Sequence, residues 1–423
     1  MAQLTDDCFA FGGRLVPVEE ALADLRSRLT PLTDVETVPL RKALGRCLAA
    51  PLTARLNVPP HDNSAVDGYA VYFDDLPAEG EVRLPLAGRV AAGHTLDGPA
   101  RRGTAIRIFT GAPMPPGNGD AGPDTVMMQE DCREEDGHVV IPAGIKRGAN
   151  RRKAGEDVRQ GDAILRQGQK LRPQDIGLAA AQGLTELAVH APLRVAIFST
   201  GDEVRDPPAP LPAGGIYDSN RFTLAALLDG MGCAVTDLGI LPDDRQAITD
   251  ALEKAAGSHD LLITSGGVSG GEEDHVKAAV EALGSLHFWR LAIKPGRPVA
   301  LGQARGTAFI GLPGNPVAVM VTFLRVARPI IERLSGAEES DPKLFPVLSG
   351  FDYKKKQDRR EYVRVRLERR SDGQLVAHRF EQDGAGVLSS MVAADGLVEL
   401  PEEATRIAAG SVVPYLPFSE VGL

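Results

Sequence analysis

"DLLITSGGVSGGEEDHVKAAVEALG", residues Asp260–Gly284, decides the fold. It opens on the apolar run Leu261–Thr264, turns through Gly266, Gly267, Gly270 and Gly271, and then repeats apolar residues at helical spacing. The pattern predicts strand, glycine turn, helix. Free backbone N–H groups at such a turn, together with the helix dipole, favour an anion. Yet the helix begins with Glu272, Glu273 and Asp274, which repel one. A divalent cation between carboxylate and phosphate reconciles the two, since Mg²⁺ is held by one or two carboxylates plus substrate phosphates.

Outward from this stretch the same alternation continues. "RVAIFST", "AVTDLGIL" and "DLLITSGG" read as strands; "RFTLAALLDGMG", "DRQAITDALEKAAG" and "EDHVKAAVEALG" read as helices. Strand and helix in alternation predict a mostly parallel sheet covered on both faces, with ligands beyond the carboxyl ends of the strands. This α/β domain is expected over residues 191–335. Before it, "VPVEEALADLRSRL" and "LRKALGRCLAA" carry helical spacing, as does "RPQDIGLAAAQG". Residues 1–50 and 162–190 therefore read as a helical linker region, for which a family resemblance, not the spacing, implies a role in dimerisation. Short β-rich runs among Gly/Pro clusters, such as "RLPLAGRV" and "TAIRIFTGA", predict an inserted β-rich module over residues 51–161. The runs "EYVRVRLER", "GLVELP" and "SVVPYLPF" predict a small C-terminal β-barrel over residues 336–423.

Composition narrows the function. The chain has 423 residues and a net charge of −10, which disfavours a broad nucleic-acid surface. Cys8, Cys47, Cys132 and Cys233 form no C-x-x-C pair, so reduced thiols in a cytoplasmic protein are expected. The start "MAQLTDDCFAFGG" lacks a secretory pattern. The long apolar run "PVAVMVTFLRVARPIIERL" is interrupted by Arg325 and Arg328, so no membrane span is expected. The histidines show no metal-ligand spacing, and there is no Walker-type lysine loop.

Several loops carry candidate chemistry. "FSTGDEV" (Phe198–Val204) follows a strand and offers Glu203, and Asp243–Asp244 follow the next strand. As isolated loops both also read as helix caps. With Asp274 they make three acidic strand ends, a pattern suited to a metal that polarises a phosphoryl oxygen. "WRLAIKPGRP" gathers Arg290, Lys294 and Arg297 around a Pro-Gly turn, groups that bind oxyanions. "GLPGNP" places Pro313 before a helix that Asn315 can cap and Pro316 can start. "NSAVDGYA" contains Asp67-Gly68, a common hairpin pair, and "NRRKAGED" mixes Arg152 with Asp157.

In this order "NSAVDGYA", "TGAPMP", "NRRKAGED", "STGDEV", "TSGGVSGGEED", "LAIKPGRP" and "GLPGNP" resemble the molybdopterin molybdenumtransferase (MoeA-like) family, which includes the gephyrin E domain. The resemblance spans nearly the whole chain. It implies Mg²⁺-dependent hydrolysis of adenylylated molybdopterin, insertion of molybdate into the dithiolene, and AMP release. It also implies a homodimer whose cleft joins the α/β domain of one subunit to the β module of the other. Contact with other cofactor-synthesis or acceptor enzymes follows from the same role. Carried over by motif, Asp67, Thr110, Arg152 and Asp157 would serve the partner's cleft. Glu203, one of Asp243 and Asp244, and Asp274 would serve metal and pyrophosphate. Gly266, Gly267, Ser269, Lys294 and Arg297 would hold phosphate or molybdate, with Arg290 in the same basic turn. Arg359 and Ser390 would contact molybdate from the C-terminal domain, and Pro313 and Pro316 would shape the last loop. Arg290 and Arg297 depart from the family's common Lys, and Arg151 from a common apolar residue; neither change removes an acidic position. A scaffold using the same fold and a tungsten-inserting paralogue are the alternatives.

Overall fold

The computed structural model describes residues 15–267, 275–338 and 341–422. By contacts the chain forms two compact units. One comprises Met1–Ala50, Gln167–Arg172 and Glu186–Leu423; the other comprises Pro51–Arg166 and Pro173–Thr185.

The centre of the first unit is a six-stranded sheet. Its strands are β1 (Arg194–Thr200), β2 (Ala234–Leu241), β3 (Leu261–Ser265), β4 (Gly284–Arg290), β5 (Pro298–Ala304) and β6 (Thr307–Leu312), in the order β2-β1-β3-β6-β5-β4. Neighbours from β2 through β6 are parallel, while β5 runs antiparallel to both β6 and β4. Residues 195–200 of β1 and all of β3 are buried, as expected for strands covered on both faces.

Helix α1 (Asn220–Met231) buries Leu224, Leu227 and Leu228 on one side of the sheet. Helices α2 (Arg245–Ala256) and α3 (His275–Leu283) bury Ile248, Leu252, Val276 and Val280 in a separate core. Each such aliphatic side chain contributes about 1.5–3 kcal/mol. The chain goes from β1 to β2 through α1, and from β2 back to β3 through α2. The switch point, where an open α/β sheet opens its crevice, therefore lies between β1 and β3.

The expected helix after "GLPGNP" is present as α4 (Pro316–Thr322), continued by a π-helical turn (Phe323–Ala327) and by α5 (Arg328–Leu334). Among the described residues no helix is long and apolar enough to cross a membrane.

The C-terminal strands β7 (Phe345–Ser349), β8 (Arg360–Arg369), β9 (Leu375–Arg379), β10 (Gly396–Leu400) and β11 (Val412–Pro417) close on themselves. The ring runs β8-β9-β7-β11-β10 and returns to β8. Val347, Val363, Val365, Val398 and Leu400 fill it. A short strand, Ile293–Lys294, pairs in parallel with Arg360–Glu361 and ties the α/β domain to the barrel.

The second unit is β-rich. Its six-stranded sheet takes in Thr125–Met128, Gly68–Val71, Ala105–Ile108, Glu81–Val90, His138–Pro142 and Arg133–Glu135, in that spatial order.

One expected helix is absent. "LRKALGRCLAA" forms only a 3₁₀ turn, Leu40–Lys42. Gly45 then adopts φ +75°, its N–H donates to the Leu171 carbonyl, and the Leu48 N–H donates to the Gln169 carbonyl. Bridges to Lys170 and Val189 replace the i→i−4 ladder that helical spacing alone implied.

Candidate substrate cavity at the strand ends

Three loops leave the sheet side by side after β1, β3 and β6. Gly267 (φ +64°) is packed so closely that a Cβ there would come within 2.8 Å of Val276 Cγ2 and 2.9 Å of Thr200 Oγ1. A Cβ on Gly314 would sit 3.7 Å from the Gly266 Cα. Glycine is favoured at Gly266 and Gly267 because both take positive φ, +85° and +64°, and side chains crowd Gly267; the Gly314 approach is an ordinary contact. A cavity of about 430 Å³ opens beside these loops. Gly266, Gly267 and Pro313 form one side, and Lys294 and Arg297 another. Tyr353, Glu361, Arg364 and Arg379 close it from the barrel.

The basic turn is held rigidly. Gly296 has φ +101°, and a Cβ there would meet Thr322 Cγ2 at 2.4 Å. Lys294 Nζ donates to Tyr353 Oη at 3.3 Å and lies 3.4 Å from Glu361 Oε2. The Tyr353 hydroxyl donates to the same Oε2 at 2.8 Å. Arg359 Nε donates to Glu361 Oε1 at 2.7 Å. Glu361 is 1% exposed, so a buried carboxylate fixes a lysine, an arginine and a phenol at once. Burial, then the hydrogen bond to Glu361, pushes the Tyr353 hydroxyl well above its ordinary pKa, keeping it a donor.

The other candidates divide. Pro316 is the first residue of α4; Asn315 occupies the cap position but makes no side-chain cap bond. Arg290 is exposed at the end of β4. Arg359 reaches the cavity only through Glu361. Ser390 is fully buried, and its hydroxyl donates to the Val387 carbonyl rather than lining the cavity. Ser269 and Asp274 lie outside the described residues.

Of the acidic loops, those after β1 and β2 leave from paired positions, Thr200 opposite Leu241. The Glu203 side chain folds back over Gly201, where a Cβ would meet its Oε2 at 2.7 Å. Asp244 caps α2, accepting the Ala247 N–H at 2.8 Å, whereas Asp243 is exposed. Among the described residues no three acids, histidines or cysteines assemble into a metal cluster. The carboxylates of Glu203 and Asp243 are of the chemical kind that Mg²⁺ takes, one or two at a time, when phosphates complete its shell.

In the second unit, Asp67 and Thr110 come together. The Thr110 N–H and hydroxyl both donate to Asp67 Oδ1 at 2.7 Å, and these bonds hold the Asp67 carboxyl below its usual range. Asp67-Gly68 is not a hairpin turn. Gly68 lies in a strand where a Cβ would strike the Met127 carbonyl at 1.8 Å. Arg152 pairs with Asn63 in a short ladder and is exposed, as is Asp157.

Sequence reading missed Tyr353, Glu361, Arg364 and Arg379. Their signal was charge inside a strand: "REYVRV" carries Glu361 and Arg364 at 1% and 6% exposure.

Residues 196–333 match the family described as "Probable molybdopterin binding domain", which places the central domain in that class. Residues 16–183 match "MoeA N-terminal region (domain I and II)", and residues 347–418 match "MoeA C-terminal region (domain IV)". The Haemophilus influenzae molybdopterin molybdenumtransferase is 36% identical over 409 residues, covering 96% of this chain and 100% of the relative. The Nostoc enzyme of the same name is 35% identical, covering 93% and 91%. The crystal structure of the Pyrococcus horikoshii OT3 molybdopterin biosynthesis moeA protein superposes with a TM-score of 0.81 at 29% identity, covering 96% and 100%. The chain belongs to the molybdopterin molybdenumtransferase (MoeA) family.

Proposed function

We propose that the cavity is where adenylylated molybdopterin and molybdate meet, and that the chain catalyses molybdate insertion with release of AMP. As a family member it is an enzyme of molybdenum cofactor biosynthesis. One observation carries the finer reading: a glycine-walled strand-end crevice faces Lys294 and Arg297 across about 430 Å³, enough for a tetrahedral oxyanion beside a phosphate.

The residues divide the work by chemistry. Backbone at Gly266 and Gly267 lets a phosphate approach closely, as only glycine can. Lys294 and Arg297 offset negative charge as it develops on the transferring oxygens. Glu361 and Tyr353 keep Lys294 aimed, so no reorganisation is needed when substrate binds. Pro313 fixes the third loop. When bound, Mg²⁺ would be held by Glu203, Asp243 and Asp274, and would neutralise and polarise the phosphoryl oxygens. Asp243 is preferred to Asp244, whose carboxylate already caps α2. Asp67, Thr110, Arg152 and Asp157 are assigned to the cleft of a partner subunit in a homodimer, on the strength of the family's pattern and of the Asp67–Thr110 pair.

The test is release of AMP from adenylylated molybdopterin by purified protein with Mg²⁺ and molybdate. Release that needs both ions and collapses in Glu203→Gln, with the adenylate still bound, supports the reading. Unchanged turnover in that variant sinks the metal assignment, and no release from the wild type sinks the reading as a whole. Replacing molybdate by tungstate decides which oxyanion is preferred.

A further inference from the structure

The long apolar run after "GLPGNP" carries a charge that the site does not use. Helix α4 begins at the cavity, where Asn315 and Ala318 line it, and Thr322 one turn on packs against the basic turn at Gly296. The helix then widens into the π-helical turn Phe323–Ala327. Such turns are rare and recur at functional sites. Phe323, Leu324, Val326 and Ala327 are buried, and Arg325 is the one charged residue of the turn.

Arg325 reaches the barrel. Its Nε donates to the Tyr362 hydroxyl at 3.2 Å and lies 3.4 Å from Glu399 Oε1. A terminal nitrogen lies 3.5 Å from Glu19 Oε1, on the helix Val18–Arg28. Tyr362 and Glu399 are cross-strand neighbours on β8 and β10, both buried. Arg360 on β8 closes the cluster by pairing with Glu19, and with Glu402 at 3.1 Å. The Arg360 N–H donates to the Ala292 carbonyl at 2.7 Å, beside the short strand that ties the α/β domain to the barrel. Tyr362 also lines the cavity. One guanidinium thus links a helix that starts at the α/β wall of the cavity to a strand that forms its barrel wall. Buried ion pairs add little net stability over apolar packing of the same shape.

We infer that Arg325 is a positioning residue for the reaction. Through Tyr362 it fixes the barrel wall of the cavity at the separation from the α/β wall that the two reactants need. It touches neither reactant. The inference rests on the functional reading above.

Steady-state AMP release and amide exchange on the same variants test it. Arg325→Met is expected to lower kcat/KM by about 10- to 100-fold in folded protein, as a small misplacement of reacting groups does. It should also lower protection of the Arg360 amide while the amides of β3 keep theirs. Arg325→Lys should restore part of kcat/KM, because charge is kept but the fork is not. Tyr362→Phe keeps the ion pairs and removes only the hydroxyl that carries the effect to the cavity. It should lower kcat/KM as well, and the double variant should lose less than the two single losses combined. A folded Arg325→Met protein with wild-type kcat/KM overturns the inference, whatever its melting temperature. Fully independent losses in the double variant, or a fall in protection shared equally by β3, also overturn it. Should Arg325→Met fail to fold, wild-type kcat/KM in both Arg325→Lys and Tyr362→Phe overturns it. A wild type that releases no AMP overturns the functional reading instead. Exchange then decides the positioning role, and an Arg360 amide as protected in Arg325→Met or Arg325→Lys as in the wild type overturns that too.

Discussion

Two buried arginines in the first unit are treated in opposite ways. At the start of α1, Arg221 is 4% exposed and surrounded by acid. Its Nε meets Asp218 at 3.0 Å, and its terminal nitrogens pair with Asp206 and Asp237. Asp218 also accepts the Arg221 backbone N–H, so the charge is closed within the fold. In the barrel wall, Arg364 is as deeply buried but has only carbonyls as partners. Burial does not separate the two arginines; the presence of a counter-charge does. Arg221 fastens the segment after β1 to the sheet, while Arg364 stands in the cavity wall with no acid beside it among the described residues.

The difference can be broken most sharply by stability measurements on matched variants. Arg221→Met leaves Asp218 buried and unpaired, and should cost about 3–5 kcal/mol in denaturant unfolding. Arg364→Met removes a buried charge that has no acid partner and should leave stability unchanged or raise it. Equal losses would show that Arg364 is also a structural charge.

Glu361 lies between these cases, closing the charge of Lys294 and Arg359 at the cavity edge. Glu361→Gln is expected to cost about 1–3 kcal/mol and to raise KM for molybdate more than it lowers kcat. It should also let Tyr353 ionise at lower pH, read from the ultraviolet titration of the phenols. The sign is fixed by the wild type. A phenol whose folded pKa is raised adds stability that is complete below its unfolded pKa of about 10 and is lost as pH rises above it.

Asp67 gives the smallest effect, since neutral donors satisfy it at an accessible site. Its carboxyl is depressed by Thr110, so the stabilisation is present above the unfolded value of about 4 and is lost as pH falls through the folded one. The protection of the Thr110 amide, its exchange rate taken relative to the intrinsic rate at each pH, should therefore fall in acid in the wild type. In Asp67→Asn that protection should be lower and should show no such titration.

The sequence showed most of the α/β domain because its signals are local. Glycine at Gly266 and Gly267, Pro316 at a helix start, and alternating strand and helix each carry their own reason. Lys294 and Arg297 were legible because a Pro-Gly turn gathers them. Glu361 and Arg364 were not, because their meaning depends on which strand Ile293–Lys294 joins, and that pairing links residues far apart in the chain. Leu40–Ala50 misled for the same reason, as its backbone partners at Gln169 and Leu171 come from a distant segment. Asp244 shows the reverse: the plain cap reading was correct for its carboxylate.

The most direct test is a crystal structure of the protein with tungstate, whose anomalous scattering locates the ion independently of any assumed pose. The account predicts a peak inside the cavity, within hydrogen-bond reach of Lys294 or Arg364. A peak confined to other surfaces, in protein that turns over, would contradict it.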